Sequence, residues 1–254
     1  MERKVALVTG SGRGIGKGIA LAFAAAGYEV CVNYNTSREK ALAVVEEIRA
    51  LGVRAEAVQA DISTMEGVSA LFDGFSEKFD RLDVHVNNSG ITRMKPFLET
   101  TPELFDEVFH TNLRGLYFCA QRAARLMVEQ QIKGVIVHIS SNHSQGTWSH
   151  STVYAAAKAG VNKLTKNMAL DLAEYGIRVV GIAPGYTLLE KQRDERALQH
   201  MASISSRIPL GRFATPEEVG EAAVYLSSPA AAYITGTTLE MDGGALLPVW
   251  ADQS

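Results

Sequence analysis

The chain begins with a short apolar run, a glycine-rich loop and a helical run, in that order. Val5 to Val8 is apolar throughout, which predicts a buried strand. The loop that follows reads Gly10-Ser11-Gly12-Arg13-Gly14-Ile15-Gly16, and the helical run ends at Gly27. Glycines allow a backbone to approach a pyrophosphate, and the start of a helix offers free N–H groups to an anion. This order favours a dinucleotide site with the loop residues as contacts over a flexible turn, although the spacing departs from Gly-x-Gly-x-x-Gly.

Strands and helices continue to alternate along the rest of the chain. Apolar runs predict further strands at 29–34, 54–59, 83–86, 135–139, 177–182 and 237–241. No Pro-, Gly- or Ser-rich linker interrupts the 254 residues. Because such alternation builds parallel sheets, one domain over 1–254 is predicted. The expected class is α/β: a doubly wound Rossmann fold with a seven-stranded, mostly parallel sheet and helices on both faces.

Three side chains close to the fifth strand supply the candidate chemistry. Ser141 follows that strand, and Tyr154 and Lys158 lie one turn apart on a predicted helix. A phenol is a poor acid or base at neutral pH, but a neighbouring ammonium favours the phenolate and lowers the phenol's pKa. A serine hydroxyl holds a carbonyl or alcohol oxygen. The set moves a proton on or off a C–O group, and a cofactor has to carry the hydride. Alone, Tyr-x-x-x-Lys also describes an ordinary surface pair.

The end of the second strand indicates which dinucleotide is preferred. An acidic residue there binds the ribose hydroxyls of NAD, but this chain reads Asn33-Tyr34-Asn35-Thr36-Ser37-Arg38. No carboxylate is present to repel a 2′-phosphate, and Arg13, Ser37 and Arg38 are suited to bind one. The sequence therefore favours NADP(H) over NAD(H), with Asn33, Tyr34, Asn35, Ser37 and Arg38 as candidate contacts for the cofactor. The alternative is that Arg38 only opens a solvated helix over 37–51.

Further candidate contacts follow the third and fourth strands. Asp61, with Ile62 after it, either faces the adenine ring or caps the next helix. Asn88, Ser89 and Gly90 suit either a loop under the cofactor or an ordinary turn.

A single long helical tract is predicted over 102–131, and it contains Asn112. An amide is a poor choice inside a helix. Asn112 therefore either satisfies a backbone group or holds a water beside Lys158.

Charge and cysteine usage exclude several classes of function. The net charge is −3, so a basic surface for nucleic acid is not expected. The first apolar run is too short for a signal peptide, and no stretch reaches the length of a membrane span. Cys31 and Cys119 lie in apolar segments without ligand spacing, which indicates buried free thiols in a reducing compartment. A cytoplasmic protein without a metal, a nucleic-acid partner or a membrane partner is expected.

Several motifs together resemble those of the short-chain dehydrogenases/reductases, over nearly the whole chain. They are Thr9-Gly10-x-x-x-Gly14-x-Gly16, Asn87-Asn88-Ser89-Gly90, Asn112, Ser141, Tyr154-x-x-x-Lys158 and Pro184-Gly185. The resemblance implies that Tyr154 is the catalytic acid/base and that Lys158 lowers its pKa and holds the nicotinamide ribose. It implies that Ser141 orients the substrate oxygen and that Asn112 anchors a water linking Lys158 to solvent. It also implies an NAD(P)-dependent enzyme acting on CH–OH groups, and a homotetramer formed through the long helices.

Three positions depart from the family pattern. Ser89 replaces an alanine, and Val180 replaces the asparagine of the usual Arg-Val-Asn. The threonine expected four residues after Pro-Gly is Leu189. Thr187 is the candidate replacement for its contact with the cofactor, beside Pro184 and Gly185.

Two subfamilies are resembled. The segments 30–34 and 88–93 resemble the 3-oxoacyl-acyl-carrier-protein reductases, whereas 132–134, 140–143 and Trp148 resemble the glucose 1-dehydrogenases. His143 either donates to a sugar hydroxyl or is a loop histidine satisfied by backbone. Gln145, Trp148 and Tyr186 are expected to line the same pocket, which suits a sugar or polyol.

The expected function is NADP(H)-dependent interconversion of a secondary alcohol and a carbonyl. The substrate is a sugar or polyol, or a 3-oxoacyl thioester. The charged segment at about 188–210 is predicted to be a substrate lid, with a solvated helix face as the alternative. The alternative function is a catalytically silent nucleotide-binding regulator or scaffold of the same fold.

Overall fold

Seven parallel strands form one sheet in the part of the chain that the computed structural model describes, residues 3–188 and 201–247. The order is β3-β2-β1-β4-β5-β6-β7. The strands are β1 Val5–Val8, β2 Glu29–Tyr34, β3 Ala55–Gln59, β4 Val84–Asn87, β5 Val135–Ile139, β6 Arg178–Pro184 and β7 Thr238–Met241. The predicted fold class is confirmed, and every strand pairing is parallel.

Helices cover both faces of the sheet. Their bounds are α1 Gly14–Ala25, α2 Arg38–Ala50, α3 Met65–Ser76, α4 Pro102–Phe109, α5 Leu116–Glu129, α6 Thr152–Leu172 and α7 Pro216–Ser227. One core lies between the sheet and α1, α2 and α7, and it contains Phe23 and Ile48. The other lies against α3, α5 and α6, and it contains Phe75 and Ile136. Because both faces are covered, the inner strands β1 and β5 are near-continuous apolar runs that are fully buried.

Helices α1 and α7 approach each other closely at Gly18. A Cβ built there would lie 2.4 Å from the carbonyl carbon and oxygen of Pro216. Only glycine therefore fits this crossing. Helix α7 begins with a capping box: the Thr215 hydroxyl accepts from the Glu218 N–H, and the Glu218 carboxylate accepts from the Thr215 N–H.

The predicted single helix over 102–131 is wrong in one respect. A π-helical turn, His110–Gly115, separates α4 from α5. Gly115 packs against the Ile62 carbonyl, so closely that a Cβ would lie 2.3 Å from its oxygen. The wider turn contains Asn112, and π-turns recur at functional sites.

The expectations about the cysteines, membrane spans and the lid are compared with the structure in turn. Cys31 and Cys119 are buried and free, as predicted. No described helix has the length and apolar character needed to cross a membrane. Most of the predicted lid, residues 189–200, lies outside the described residues, and residues 201–205 are helical.

Candidate active site

The carboxyl ends of the parallel strands bring most of the predicted site residues to one edge of the sheet. β1 leads into the glycine loop, β4 into Asn88, β5 into Ser141 and β6 into Gly185. Parallel strands place such ends side by side, which is where open α/β sheets bind ligands. The topology itself therefore assembles a cleft from segments distant in sequence.

The glycine loop is fixed by hydrogen bonds at Gly10 and Ser11, and the start of α1 that follows it is uncapped. The Gly10 N–H donates to Asn33 Oδ1 at 3.1 Å, and the Ser11 hydroxyl donates to the Val8 carbonyl at 2.7 Å. Helix α1 has neither a side-chain cap nor an acidic residue in its first turn. Its first N–H groups lack intrahelical acceptors. A dinucleotide pyrophosphate fits this position, because it would supply the missing acceptors.

Asn33 and Tyr34, predicted to contact the cofactor, serve mainly to build the edge. The Asn33 amide donates to the Val58 carbonyl at 3.3 Å and the Ala60 carbonyl at 3.2 Å. With Gly10 as donor, both ends of its side chain have protein partners. Tyr34 is buried in the core. The Asn33 side chain is therefore a positioning group for the loop, and the Tyr34 side chain is part of the core.

The residues left accessible for a 2′-phosphate are Arg13, Asn35 and Arg38, which are exposed, and Ser37, which is half-buried. No ion pair among the described residues includes Arg13 or Arg38. Two guanidinium groups therefore stand free near the end of β2 without a competing carboxylate partner.

Asp61 does not cap α3. Its carboxylate accepts from the Ser63 N–H at 3.0 Å, whereas the Thr64 hydroxyl caps the helix by accepting from the Gly67 N–H at 3.0 Å. The capping alternative is wrong, because Thr64 sits at the position from which a side chain reaches the free N–H groups. Ile62, next to Asp61, is buried in the core.

Thr9 joins the first and fourth strand ends. Its hydroxyl accepts from the Asn88 and Ser89 N–H groups, each at 3.0 Å, and the Asn88 amide donates to the Thr9 carbonyl at 2.9 Å. Asn88 also packs on Gly16, where a Cβ would lie 2.4 Å from its amide nitrogen. The sequence indicates Thr9 only as part of a motif, because it does not show that β1 and β4 are neighbours.

The catalytic candidates converge at the carboxyl end of β5. Lys158 is buried, and its ammonium donates to the Ile139 carbonyl at 2.8 Å. The Tyr154 phenol is hydrogen-bonded by the side chains of Ser141 and Thr92. Thr92 was not among the predicted residues; it lies in the loop after β4, which only the fold brings to the phenol.

The pKa of Tyr154 differs from the expectation. Burial raises it above its ordinary value, and the hydrogen bonds from Ser141 and Thr92 only partly oppose this. The Lys158 ammonium lies 5.8 Å from the centroid of the phenol ring, and burial lowers the pKa of Lys158 to about 8. The predicted lowering by the ammonium is therefore wrong in this state of the site, where Lys158 is directed at the Ile139 carbonyl.

Asn112 satisfies a backbone group, the first of its two predicted roles. Its carbonyl accepts from the Ile91 N–H and its amide donates to the Ile91 carbonyl, both at 2.8 Å. A Cβ on Gly90 would lie 3.1 Å from Asn112 Oδ1 and 3.7 Å from Lys158 Nζ. The side chains of Asn112 and Lys158 therefore both lie close to Gly90. A water that links Lys158 to solvent at this place stays a prediction.

Three of the predicted substrate residues form one aromatic group. The His143 and Trp148 rings stack with centroids 3.9 Å apart, and the indole N–H donates to the Tyr186 hydroxyl at 3.2 Å. The Nδ1 atom of His143 lies 2.7 Å from the Ser151 hydroxyl. The ring is therefore satisfied by a serine rather than by backbone. Gln145 is exposed, and its side chain donates instead to Glu240 on β7.

The segment after β6 is tied to β7 and to the chain before α7. The Gly185 N–H donates to the Met241 carbonyl at 2.9 Å, and Thr187 forms an isolated parallel bridge with Ala214. The Thr187 hydroxyl donates to the Gly185 carbonyl at 3.3 Å. Leu189 lies outside the described residues, so replacement of the family threonine by Thr187 stays a prediction.

A cavity of about 460 Å³ lies beside Tyr186, with Arg212, Glu240 and Asp242 in its wall. Ser141, Tyr154 and Lys158 do not line it. The three candidate catalytic side chains therefore lie outside this cavity, which we regard as a neighbouring space.

Comparison with known proteins shows the family and the fold of the chain. Residues 10–245 match the sequence profile of the family described as Enoyl-(Acyl carrier protein) reductase. A solved structure, acetoin dehydrogenase YohF from Salmonella typhimurium, superposes with a TM-score of 0.89 at 33% identity, covering 97% of this chain and 98% of that one.

Three relatives share about two residues in five with this chain. The 3beta-hydroxysteroid dehydrogenase 1 of Eggerthella lenta is 40% identical, over 97% of this chain and 95% of that protein. The 3-oxoacyl-acyl-carrier-protein reductase FabG of Staphylococcus aureus is 41% identical, over 95% and 97%. Glucose 1-dehydrogenase 2 of Bacillus subtilis is 39% identical, over 96% and 95%. Their names span steroid, acyl and sugar substrates.

Proposed function

The chain belongs to the short-chain dehydrogenase/reductase family, whose members oxidise alcohols or reduce carbonyls, and we propose that it does so with NADP(H). The observation that carries the proposal is the Tyr154 phenol, hydrogen-bonded to Ser141 and placed beside the buried Lys158 at the dinucleotide edge. A surface pair would have neither the burial nor the serine.

The chain's own residues position the substrate and move the proton. Ser141 and Tyr154 are placed to hold the same substrate oxygen, so that its C–H bond is fixed relative to the cleft. In the reducing direction the Tyr154 phenol donates its proton to the substrate oxygen. In the oxidising direction the phenol first loses that proton to solvent, and the resulting phenolate accepts the hydroxyl proton. A bound nicotinamide supplies or accepts the hydride. Asn88 and the free N–H groups of α1 would hold the dinucleotide, and the Lys158 ammonium would hold its ribose once released from the Ile139 carbonyl.

NADP(H) is proposed over NAD(H) on the basis of charge. Arg13 and Arg38 are exposed and unpaired near the end of β2 within the described chain. The sequence between Asn33 and Arg38 contains no carboxylate. A guanidinium binds a phosphate by charge-assisted hydrogen bonds, which favours the cofactor that carries the 2′-phosphate.

The substrate proposed is a sugar or polyol, with a 3-oxoacyl thioester as the second candidate. The paired rings of His143 and Trp148 support the first, because the Nε2 atom of His143 has no partner among the described residues. The likeness to a 3-oxoacyl reductase over the whole chain supports the second. The test is a panel that contains glucose and an acetoacetyl thioester, followed at the nicotinamide absorbance with NADP and NADPH. Binding of NADPH without turnover of any alcohol or carbonyl would favour a silent regulator instead.

We also propose a homotetramer. Tyr117 on α5, Leu170 on α6 and the nearby Tyr175 are exposed apolar side chains. They belong to the long-helix face through which the resemblance implies assembly. Light scattering coupled to gel filtration tests it, and a monomeric mass at micromolar concentration would contradict it. The cytoplasmic location stays a prediction.

A further inference from the structure

Five aromatic rings run from the candidate catalytic phenol to the chain before α7; we name them the aromatic wall. In order they are Tyr154, His143, Trp148, Tyr186 and Phe213. The centroids of Tyr154 and His143 are 5.4 Å apart, edge to face, and those of Tyr186 and Phe213 are 5.3 Å apart. Tyr154 lies on α6, His143 and Trp148 lie in the segment after β5, Tyr186 follows β6, and Phe213 lies in the chain before α7. The pair Trp148 and Tyr186 therefore joins the segment after β5 to the segment after β6.

Trp148 is fixed at the middle of the wall from three directions. One face of its indole stacks on His143, with 5° between the ring planes. Its N–H donates to Tyr186 Oη at 3.2 Å. Its six-membered ring lies against Gly146, where a Cβ would come within 2.5 Å of Cζ3. An alanine at 146 would displace the indole, so the local backbone is shaped around this side chain.

The segment that carries Trp148 is itself anchored at several points. The Ser144 hydroxyl accepts from the Asn162 amide of α6 at 2.8 Å and donates to the Ser141 carbonyl. Gln145 donates to Glu240 of β7. The loop is therefore held on both sides of the cleft, and moving the indole requires breaking more than one contact.

We propose that the hydrogen bond between Trp148 and Tyr186 is a size filter that selects compact hydroxylated substrates over bulky ones. A long acyl chain or a fused-ring carbonyl approaching Tyr154 has to separate the two loops, lose that bond and unstack the indole. A sugar, polyol or short hydroxyketone fits beside the closed wall. The inference rests on the proposed oxidoreductase function and deepens it, because it names the substrate class.

His143 adds a polar group to the same selection. Its Nδ1 is engaged by Ser151, and its Nε2 has no partner among the described residues. One polar nitrogen between apolar ring faces is the arrangement of a small-ligand pocket, in which a few polar groups fix orientation. A substrate hydroxyl is the group that this nitrogen recognises, and a hydrocarbon chain gains nothing from it.

The test compares kcat/KM for acetoin and glucose with kcat/KM for an acetoacetyl thioester and a 3-ketosteroid. The variants are Trp148→Ala, which removes the ring, Trp148→Phe, which removes the N–H, and Tyr186→Phe, which removes the hydroxyl. Trp148→Ala is expected to shift the compact-to-bulky ratio at least tenfold towards the bulky substrates, the scale at which pocket size discriminates. Each Phe variant shifts it by about threefold to tenfold, as expected for one hydrogen bond.

Two further readouts separate a filter from a structural effect. The Phe–Phe double variant is expected to match Trp148→Phe, since both lack the bond and carry the same smaller ring at position 148. The dissociation constant for NADPH is expected to stay unchanged in every variant. An unaltered ratio in Trp148→Phe and Tyr186→Phe, with wild-type turnover intact, overturns the filter alone. A wild-type protein that never turns over any substrate overturns the proposed function, and the filter with it.

Discussion

The ammonium of Lys158 donates to the backbone carbonyl of Ile139 at 2.8 Å, in an environment that leaves the side chain almost no contact with solvent. Burial lowers the pKa of this lysine to about 8, from 10.5 when exposed. The unfolded chain therefore binds a proton more strongly than the folded protein between these two values. Below pH 8 the buried charge lowers the free energy of unfolding by its full amount. This penalty decreases as the pH rises and disappears near pH 10.5.

Lys158→Met is therefore expected to be more stable than wild type at pH 7, by up to about 3 kcal/mol. The gain shrinks to zero or below near pH 10.5, where wild-type Lys158 is neutral in both states. Urea unfolding of both proteins from pH 7 to 10.5 measures this difference, in which shared titrations cancel. A difference that stays constant with pH would contradict it. Turnover should be lost at every pH.

Tyr154→Phe removes the proton-transferring hydroxyl and keeps the ring. Turnover should fall by at least about 10² to 10⁴, the range of general acid–base catalysis. NADPH titration should give a dissociation constant close to that of wild type. Tyr233→Phe, a change at an exposed tyrosine, is the matched control and should retain activity. Undiminished turnover in Tyr154→Phe would refute the assignment.

Two buried histidines should make the protein sensitive to acid. Burial lowers the pKa of His85 to about 4 and that of His138 to about 3. Both groups charge near pH 6.5 in the unfolded chain. Stability is full above that pH and falls as the pH drops towards the folded values, by about 3 kcal/mol per histidine at pH 4.

His138→Asn keeps a polar side chain and removes one of these titrations. The slope of unfolding free energy against pH, between 6.5 and 4, should become shallower by about 1.4 kcal/mol per pH unit. His150→Asn is the control, because His150 is exposed and asparagine tolerates its positive φ of 65°. Equal slopes for wild type and His138→Asn would show that burial of this ring does not govern acid stability.

Gly18→Ala should destabilise the contact between α1 and α7. The new methyl meets the Pro216 backbone, which cannot rotate away, and overpacking of this kind costs about 1–3 kcal/mol. Gly160→Ala on α6 is the matched helix substitution, because its methyl meets only the flexible Leu113 side chain at 3.0 Å. Thermal unfolding should separate the two, and an equal or higher Tm for Gly18→Ala would contradict the crossing described above.

Arg38→Glu tests the choice of cofactor. Loss of a charge-assisted contact should raise the dissociation constant for NADP by about tenfold to a hundredfold, while that for NAD stays level or falls. Lys163→Glu on α6 makes the same change in net charge at a distance and should alter neither constant. Tighter binding of NAD than NADP by the wild type would overturn the preference.

The sequence predicted the strands, their order along the chain and the triad of Ser141, Tyr154 and Lys158, because apolar runs and short motifs are local signals. Contacts between distant segments carry no such signal. The pairing of Asn112 with Ile91 depends on a π-turn that helix propensity does not reveal. The raised pKa of Tyr154 depends on burial, which only packing sets.

The carboxamide of Asn33 forms hydrogen bonds at the ends of three neighbouring strands. This is the position at which a change of preference between NAD and NADP would ordinarily be attempted first. An aspartate there would lack the two N–H donors of the amide, so the Val58 and Ala60 carbonyls would lose their hydrogen bonds inside the protein. Redesign of coenzyme choice in this scaffold should accordingly begin at residues 35–38, beyond the end of β2, and leave Asn33 unchanged.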